Sequence, residues 1–242
     1  MRLAALRQEN GLILHDVDSL CDAPGTHQID PDLFTRDYWC ERGLIVGEAP
    51  GRGSSLFLQA TPTEQWVLRP YRRGGMAAKL SEKRYLWTGA ERTRAFRELR
   101  LTATLFEQGL PVPRPVASCV THYGLTYEAA LITVRIAGAK AFAELLVNDL
   151  ADEALLKRVG AMIYRFHQAG LDHVDLNARN ILIDPSGEPW LIDFDRCRLR
   201  SPGKWGKANL ERLERSVHKF KPTTTTSPII QGYRATSGPT LY

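Results

Sequence analysis

The stretch ILIDPSGEPWLIDFD, residues 181–195, constrains this chain more than any other. Two short apolar runs flank a Pro-Ser-Gly turn signal, so the segment reads as a β-hairpin with buried strands. Centring the turn on Ser186-Gly187 sets Asn180, at the start of one strand, opposite Asp193 at the exit of the other. Directly upstream, HVDLNARN crowds Asp175, Asn177, Arg179 and Asn180 at the mouth of the first strand. A carboxylate and an amide carbonyl at one edge of a hairpin suit a hard, oxygen-seeking ion such as magnesium. Asp175 lies on the loop just before and is close enough to share that site. An isolated Asp beside Asn more often caps a turn, but a matched Asp after an apolar run favours a site.

The rest of the chain arranges itself around this hairpin. Residues 31–43 read as a helix closed by Gly43. LIVGEAPGRGSSLFLQA then gives a strand, a glycine-studded turn and a second strand, and TEQWVLRPYRR gives a third. A helix is expected over 88–108, with Ala95, Leu99, Thr102, Leu105 and Phe106 on one face and Gly109 closing it. LPVPRPVASCVTHYG leads into a strand, and YEAALITVRI, which alternates poorly, reads as a buried one. Helices follow at AFAELLVND and at 152–170, the latter carrying Leu155, Leu156, Val159, Met162, Ile163 and Phe166 at helical spacing. Strands come first and helices second, which predicts an α+β protein of two lobes, divided near Thr133–Gly138. The expected parts are a strand-rich 1–133, a helical 134–220 and, after the charged helix ANLERLERSVHKF, a flexible polar tail at 221–242.

Composition excludes more than it selects. At 242 residues, 43% hydrophobic and 24% charged, the chain is ordinary globular material. Its four cysteines (Cys21, Cys40, Cys119, Cys197) are scattered, against a disulfide framework or a zinc site and for a reducing cytoplasm. Arg7 and Glu9 arrive too early for a signal-peptide core, and no apolar run approaches the roughly 20 residues of a membrane span. The expected location is cytoplasmic. The net charge of +5 is uneven: residues 69–100 hold ten Lys/Arg against Glu82, Glu91 and Glu98. That window is either a solvated helix face with a basic loop or a surface for anionic partners. It lacks interleaved aromatics on a strand face for stacking bases, which argues against a nucleic-acid binder.

His173-Val174-Asp175-Leu176-Asn177-Ala178-Arg179-Asn180, followed by Asp193-Phe194-Asp195, resembles the catalytic loop and metal-binding Asp of the protein-kinase-like fold. More closely, HVDLNARNIL with WLIDFD, RPYRRGG and LPVPRPV is similar to the 3-deoxy-D-manno-octulosonic acid (Kdo) kinases of lipopolysaccharide core synthesis. The resemblance spans about residues 30 to 220. It implies a two-lobed kinase-like fold with a small, shortened C-terminal lobe, and ATP and Mg2+ as cofactors. It also implies that Asp175 orients and deprotonates an acceptor hydroxyl while Asn180 and Asp193 hold magnesium on the nucleotide phosphates.

The same resemblance assigns Gly51 and Gly53, within GEAPGRGSS, to a phosphate-covering loop whose backbone amides approach the nucleotide. The third-strand lysine of kinases is replaced by Arg69, though Lys79 or Lys83 could reach in instead. Its helix partner is expected to be Glu98, with Glu91 the second choice. Asn177 stands where protein kinases carry lysine, and Asp195 where they carry glycine. His173 is expected to be a packed support for the loop. Only about a dozen residues separate Asp193 from the helix near Trp205, too few to lay out a peptide, so a small or glycolipid acceptor is expected. The partner implied is an anionic glycolipid, a Kdo-lipid A precursor phosphorylated at the 4-hydroxyl, met by peripheral contact at the cytoplasmic face of the inner membrane. The basic residues Arg72, Arg73, Lys79, Lys83 and Arg84, with Tyr71, Tyr85 and Trp87, are the expected patch. The competing readings are another small-molecule kinase of the aminoglycoside type, an atypical protein kinase, and a nucleotide-binding pseudokinase scaffold.

Overall fold

The computed structural model describes residues 1–20, 29–49, 55–71 and 85–236. The glycines Gly51 and Gly53 and the basic residues at 72, 73, 79, 83 and 84 lie outside the described residues. The chain divides into two units, Met1–Thr104 with Arg114–Arg135, and Leu105–Pro113 with Ile136–Tyr242.

The first unit is built on an antiparallel sheet. Its strands are β1 (Leu3–Gln8), β2 (Gly11–Asp16), β3 (Ile45–Glu48), β4 (Leu56–Gln59), β5 (Gln65–Pro70), β6 (Tyr85–Leu86), β7 (Pro115–Tyr123) and β8 (Thr126–Val134). Among the described residues their order is β1-β2-β7-β8-β5-β4-β3, with β6 also pairing to β8. The β1–β2 hairpin is an element for which the sequence reading offered nothing. Gly11 is required there by contact, since a Cβ would sit 2.2 Å from the carbonyl oxygen of Val120 on β7.

Two apolar layers cover the sheet. Ala130 and Ile132 of β8 join Leu56, Leu58, Trp66 and Leu68 against Trp39 of α1 (Arg36–Glu41). The alternate residues Tyr127, Ala129 and Leu131 pack instead with Ala95, Phe96 and Leu99 of α2 (Arg94–Glu107). Successive side chains point to opposite faces, so β8 is buried on both. That is why its sequence shows no clean alternation. The helix expected over 88–108 begins later, at Arg94. Residues Ala90–Arg92 form one 3-10 turn and Thr93 is extended (φ −67°, ψ 150°), which separates the two. Phe106, expected on the buried face, is exposed, and Phe96 takes a core position instead.

In the second unit, β9 (Lys140–Ala141) leads into α3 (Phe142–Val147), and α4 (Glu153–Gln168) follows. All six apolar positions expected of α4 are buried, and Asp152 caps it by accepting from the Leu155 N–H at 2.7 Å. Residues 105–113 belong to this unit and not to a contiguous N-terminal part. Leu191 N–H donates to the Pro111 carbonyl at 2.9 Å and Arg165 to that of Gly109 at 2.9 Å. Next come β10 (Leu171–Asp172), β11 (Ile181–Ile183), β12 (Pro189–Leu191), β13 (Arg198–Leu199), α5 (Trp205–Phe220) and α6 (Ser227–Thr236).

Helix α6 corrects the expectation of a flexible tail over 221–242. It packs on α4 through backbone: a Cβ on Gly232 would lie 2.0 Å from the Lys157 carbonyl oxygen, and one on Gly160 1.9 Å from that of Ile229. A helix seated on glycine shows little apolar periodicity, so its sequence looks like a loop.

Candidate active site

The hairpin β11–β12 forms, but one residue out of the expected register. Ile181 faces Leu191, Leu182 faces Trp190 and Ile183 faces Pro189. The turn is a three-residue loop with Gly187 at φ +85°, a common alternative to the two-residue turn assumed from sequence. Asp184 stabilises it, its Oδ1 accepting from Ser186 N–H (2.9 Å), Ser186 Oγ (2.6 Å) and Glu188 N–H (3.0 Å). Consequently Ile192, not Asp193, meets Asn180, donating its N–H to the Asn180 carbonyl at 3.0 Å. In an undistorted ladder this slip would turn the next side chain to the opposite face. Asp193 does not continue the ladder: its φ is +64°, left-handed backbone that non-glycine residues occupy at a cost and that clusters at functional sites.

The loop before β11 is tied to itself. Asn177 and Asn180 both donate their side-chain amides to the carbonyl of Asp175, at 2.9 and 3.0 Å. Asn177 Oδ1 in turn accepts from the N–H groups of Arg179 (2.9 Å) and Asn180 (3.3 Å). These bonds fix the backbone of Asp175 and leave its side chain exposed. His173 is buried; its ring bonds to the Ile192 carbonyl through Nε2 at 3.1 Å and meets Phe194 edge-on at 5.6 Å. Burial holds its pKa below the ordinary imidazole value, against the Ile192 hydrogen bond and the charges of Asp193 and Asp175. The packed ring is tied to the loop through its bond to Ile192 and its contact with Phe194.

Three residues that sequence reasoning passed over hold this loop from below. Asn209 of α5 accepts from His173 N–H at 2.9 Å and donates to Asp172 Oδ1 at 3.1 Å. Arg200 donates to the other oxygen of Asp172 at 2.9 Å. Asn209 occupies the stripe of Leu213 and Val217, the buried positions of α5. A polar residue on a core stripe was the signal available.

In the first unit the structure brings together Arg69 of β5 and Glu98 of α2. Arg69 Nη2 donates to Glu98 Oε1, and the hydroxyl of Tyr71 donates to Glu98 Oε2. Glu98 is 3% exposed. Glu91, the second choice, pairs instead with Arg100 at the surface, at 2.8 Å. Tyr71 and Tyr85, expected as interfacial aromatics, are both core residues.

The sequence profile of the lipopolysaccharide kinase (Kdo/WaaP) family matches residues 36–232. The chain belongs to that family. A 3-deoxy-D-manno-octulosonic acid kinase of Stenotrophomonas maltophilia (strain R551-3) is 45% identical over 231 residues, 92% of this chain and 86% of the relative. The enzyme of the same name from Xylella fastidiosa (strain M12) is 44% identical over 215 residues, 88% and 85% of the two chains. Among solved structures, the Cydia pomonella granulovirus kinase PK-1 aligns with 64% of this chain and 52% of its own, at TM-score 0.44 and 14% identity.

Membership of the Kdo/WaaP family makes the protein a phosphotransferase with a kinase-like α+β fold and a small helical C-terminal part. The family match runs through α5 and into α6, so the C-terminal helix is part of the family's body. The oxygen donors of the loop fit magnesium. Asn180 commits its NH2 to the Asp175 carbonyl, which leaves its carbonyl oxygen as the end that would face a hard cation; Asp193 would add a carboxylate. Among the described residues no cluster of three or more His, Cys, Asp or Glu forms a metal cage.

Proposed function

We propose that this protein transfers the γ-phosphoryl group of ATP to the 4-hydroxyl of Kdo on a Kdo-lipid A precursor. The names of its relatives support Kdo as the sugar. The observation that carries the chemistry is the loop in which Asn177 and Asn180 clamp the carbonyl of Asp175 and leave its carboxylate exposed. Asp175 is the general base: it orients the acceptor hydroxyl and takes its proton as the oxygen attacks the γ-phosphorus, whose bond to the β,γ-bridging oxygen breaks to release ADP. Asn180 and Asp193 would hold Mg2+, which when bound neutralises charge on the phosphates. Arg69, positioned by Glu98, supplies a guanidinium to the phosphate oxygens, a planar donor in place of the kinase lysine. Gly51 and Gly53 cover the phosphates in this reading.

The acceptor is a membrane glycolipid, so the enzyme works peripherally at the cytoplasmic face of the inner membrane. Among the described residues no helix is long and apolar enough to cross a membrane. The basic residues Arg72, Arg73, Lys79, Lys83 and Arg84 are the cations proposed to meet the anionic surface, and among the described residues Leu86 and Leu125, 70% and 83% exposed, are the apolar side chains proposed to join them. Each such cation is worth about 1 kcal/mol at an anionic surface.

Labelled ATP offered in parallel to Kdo-lipid A precursor, a model protein and an aminoglycoside tests the reading. Label is expected in the glycolipid alone. Label in the protein or the aminoglycoside, with none in the glycolipid, overturns it.

A further inference from the structure

Tyr71 has a role in the first unit that the family chemistry does not require. It follows β5 directly and lies two residues beyond Arg69, so a strand-like backbone turns both side chains to one face. Both reach one carboxylate. Arg69 Nη2 bonds Glu98 Oε1, the Tyr71 hydroxyl bonds Glu98 Oε2, and the two donors stand 3.5 Å apart. The tyrosine ring is itself fixed. It is buried in the cluster of Phe96, Leu99 and Leu131, and its backbone N–H donates to the Ala129 carbonyl at 2.9 Å. The guanidinium carbons of Arg69 and Arg94 lie 4.9 and 5.7 Å from its ring centroid.

We propose that Tyr71 is a positioning residue that sets the Glu98 carboxylate, and through it the Arg69 guanidinium, for the nucleotide phosphates. This rests on the reading of Arg69 given under Proposed function. A carboxylate buried as deeply as Glu98 needs partners on both oxygens. With the hydroxyl on Oε2, the carboxylate meets Arg69 through Oε1. Removing the hydroxyl takes away the donor that holds Oε2 to Tyr71, and the carboxylate gains the freedom to rotate onto the guanidinium in the two-point fork that arginine and carboxylate favour. The cation then turns its edge toward α2 and is drawn off the phosphates. The formal charges are unchanged and the reacting atoms are untouched. The loss therefore falls on ATP binding, not on the chemical step.

Tyr71→Phe removes only the hydroxyl and keeps the ring in its core. Steady-state kinetics and equilibrium binding of a non-hydrolysable ATP analogue are measured for wild type, Tyr71→Phe, Glu98→Gln, the double variant and Arg69→Ala. Tyr71→Phe is expected to raise KM for ATP and weaken analogue binding about tenfold, the scale of one hydrogen bond to a charged group, with kcat within about twofold. In the Glu98→Gln background the same change is expected to cost less than about twofold, because the two act as one unit. Equal losses in both backgrounds would overturn the proposal, as would unchanged ATP affinity in Tyr71→Phe beside a clear loss in Arg69→Ala. If Arg69→Ala itself binds the analogue normally, the phosphate role of Arg69 fails and the role of Tyr71 with it.

Discussion

The two groups of candidate site residues are made in different ways. The loop of residues 172–195 is local: its carbonyl clamp joins Asp175 to residues two and five positions on. The cluster of the first unit is assembled from afar, Arg69 and Tyr71 reaching a carboxylate 29 and 27 residues away on another element. A local loop can be read from a motif, whereas a long-range cluster depends on how a helix seats on a sheet. The bonds of the loop are local, but its footing on Asn209 of α5 is not.

The sharpest test of the local group is Asp175→Ala. Losing a positioned general base is expected to lower turnover by roughly 10²–10⁴-fold. The clamp runs through the backbone carbonyl of Asp175, so the variant keeps it, and ATP binding is expected to stay near wild type. Turnover and analogue binding measured together decide this. Wild-type turnover would remove Asp175 from the chemistry.

The footing of the loop gives the next effect, read by pH. His167 lies buried on α4, its Nδ1 2.9 Å from the Tyr233 hydroxyl of α6. Burial lowers its pKa from 6.5 to about 4, against the favourable effect of the Asn209 side chain and the charge of Asp172 on the protonated ring, and with repulsion from His173. Between those values the unfolded chain binds a proton that the folded chain refuses, so stability rises with pH. The contribution is full above pH 6.5 and is lost as pH falls toward 4, on the order of 3 kcal/mol. Denaturant unfolding of wild type and His167→Leu at pH 7 and pH 4 checks it. The advantage of wild type is expected to shrink by about that amount, and a constant difference would refute it.

A smaller effect tests whether the C-terminal helix is part of this footing. Gly232→Ala drives a methyl into the Lys157 carbonyl. Such overpacking costs about 1–3 kcal/mol, seen as a lowered Tm. If α6 only braces α4, ATP affinity at low temperature is expected to be unchanged. An unshifted Tm would mean the helix is not seated as described.

What the sequence disclosed follows that division only in part: the Arg69–Glu98 pair was expected from the family resemblance although 29 residues separate its members. Asp175, Asn180 and Asp193 stand out as candidates because loop and hairpin are contiguous, and the pattern of α4 was legible because large apolar residues mark its buried face. The hairpin register was missed by one, since a Pro-Ser-Gly turn serves two- and three-residue loops alike and only the φ of Gly187 separates them. Helix α6 was missed because its contact is glycine on backbone. Tyr71 was read as an interfacial aromatic because nothing nearby in sequence announces a carboxylate 27 residues on. Asn209 alone carried a usable signal, a polar side chain in line with Leu213 and Val217.

The smallest expected change separates strain from chemistry within the local group. Asp193 and Arg196 both hold left-handed backbone, with φ of +64° and +62°. For an L-residue that conformation costs roughly 1–2 kcal/mol, and glycine is free of it. Asp193→Gly and Arg196→Gly should therefore each be neutral to about 1 kcal/mol stabilising, the gain trimmed by the extra freedom of glycine in the unfolded chain. Their activities should part completely. Arg196 is exposed and outside the proposed metal set, so Arg196→Gly is expected to retain turnover. Asp193→Gly removes the carboxylate proposed to hold magnesium and is expected to lose turnover while gaining or keeping stability. Paired unfolding and turnover measurements read both quantities. If both variants lose turnover, the left-handed turn itself matters to catalysis, and if neither does, the metal role of Asp193 is wrong. A fall in stability for Asp193→Gly would show instead that its side-chain contacts outweigh the strain of its backbone.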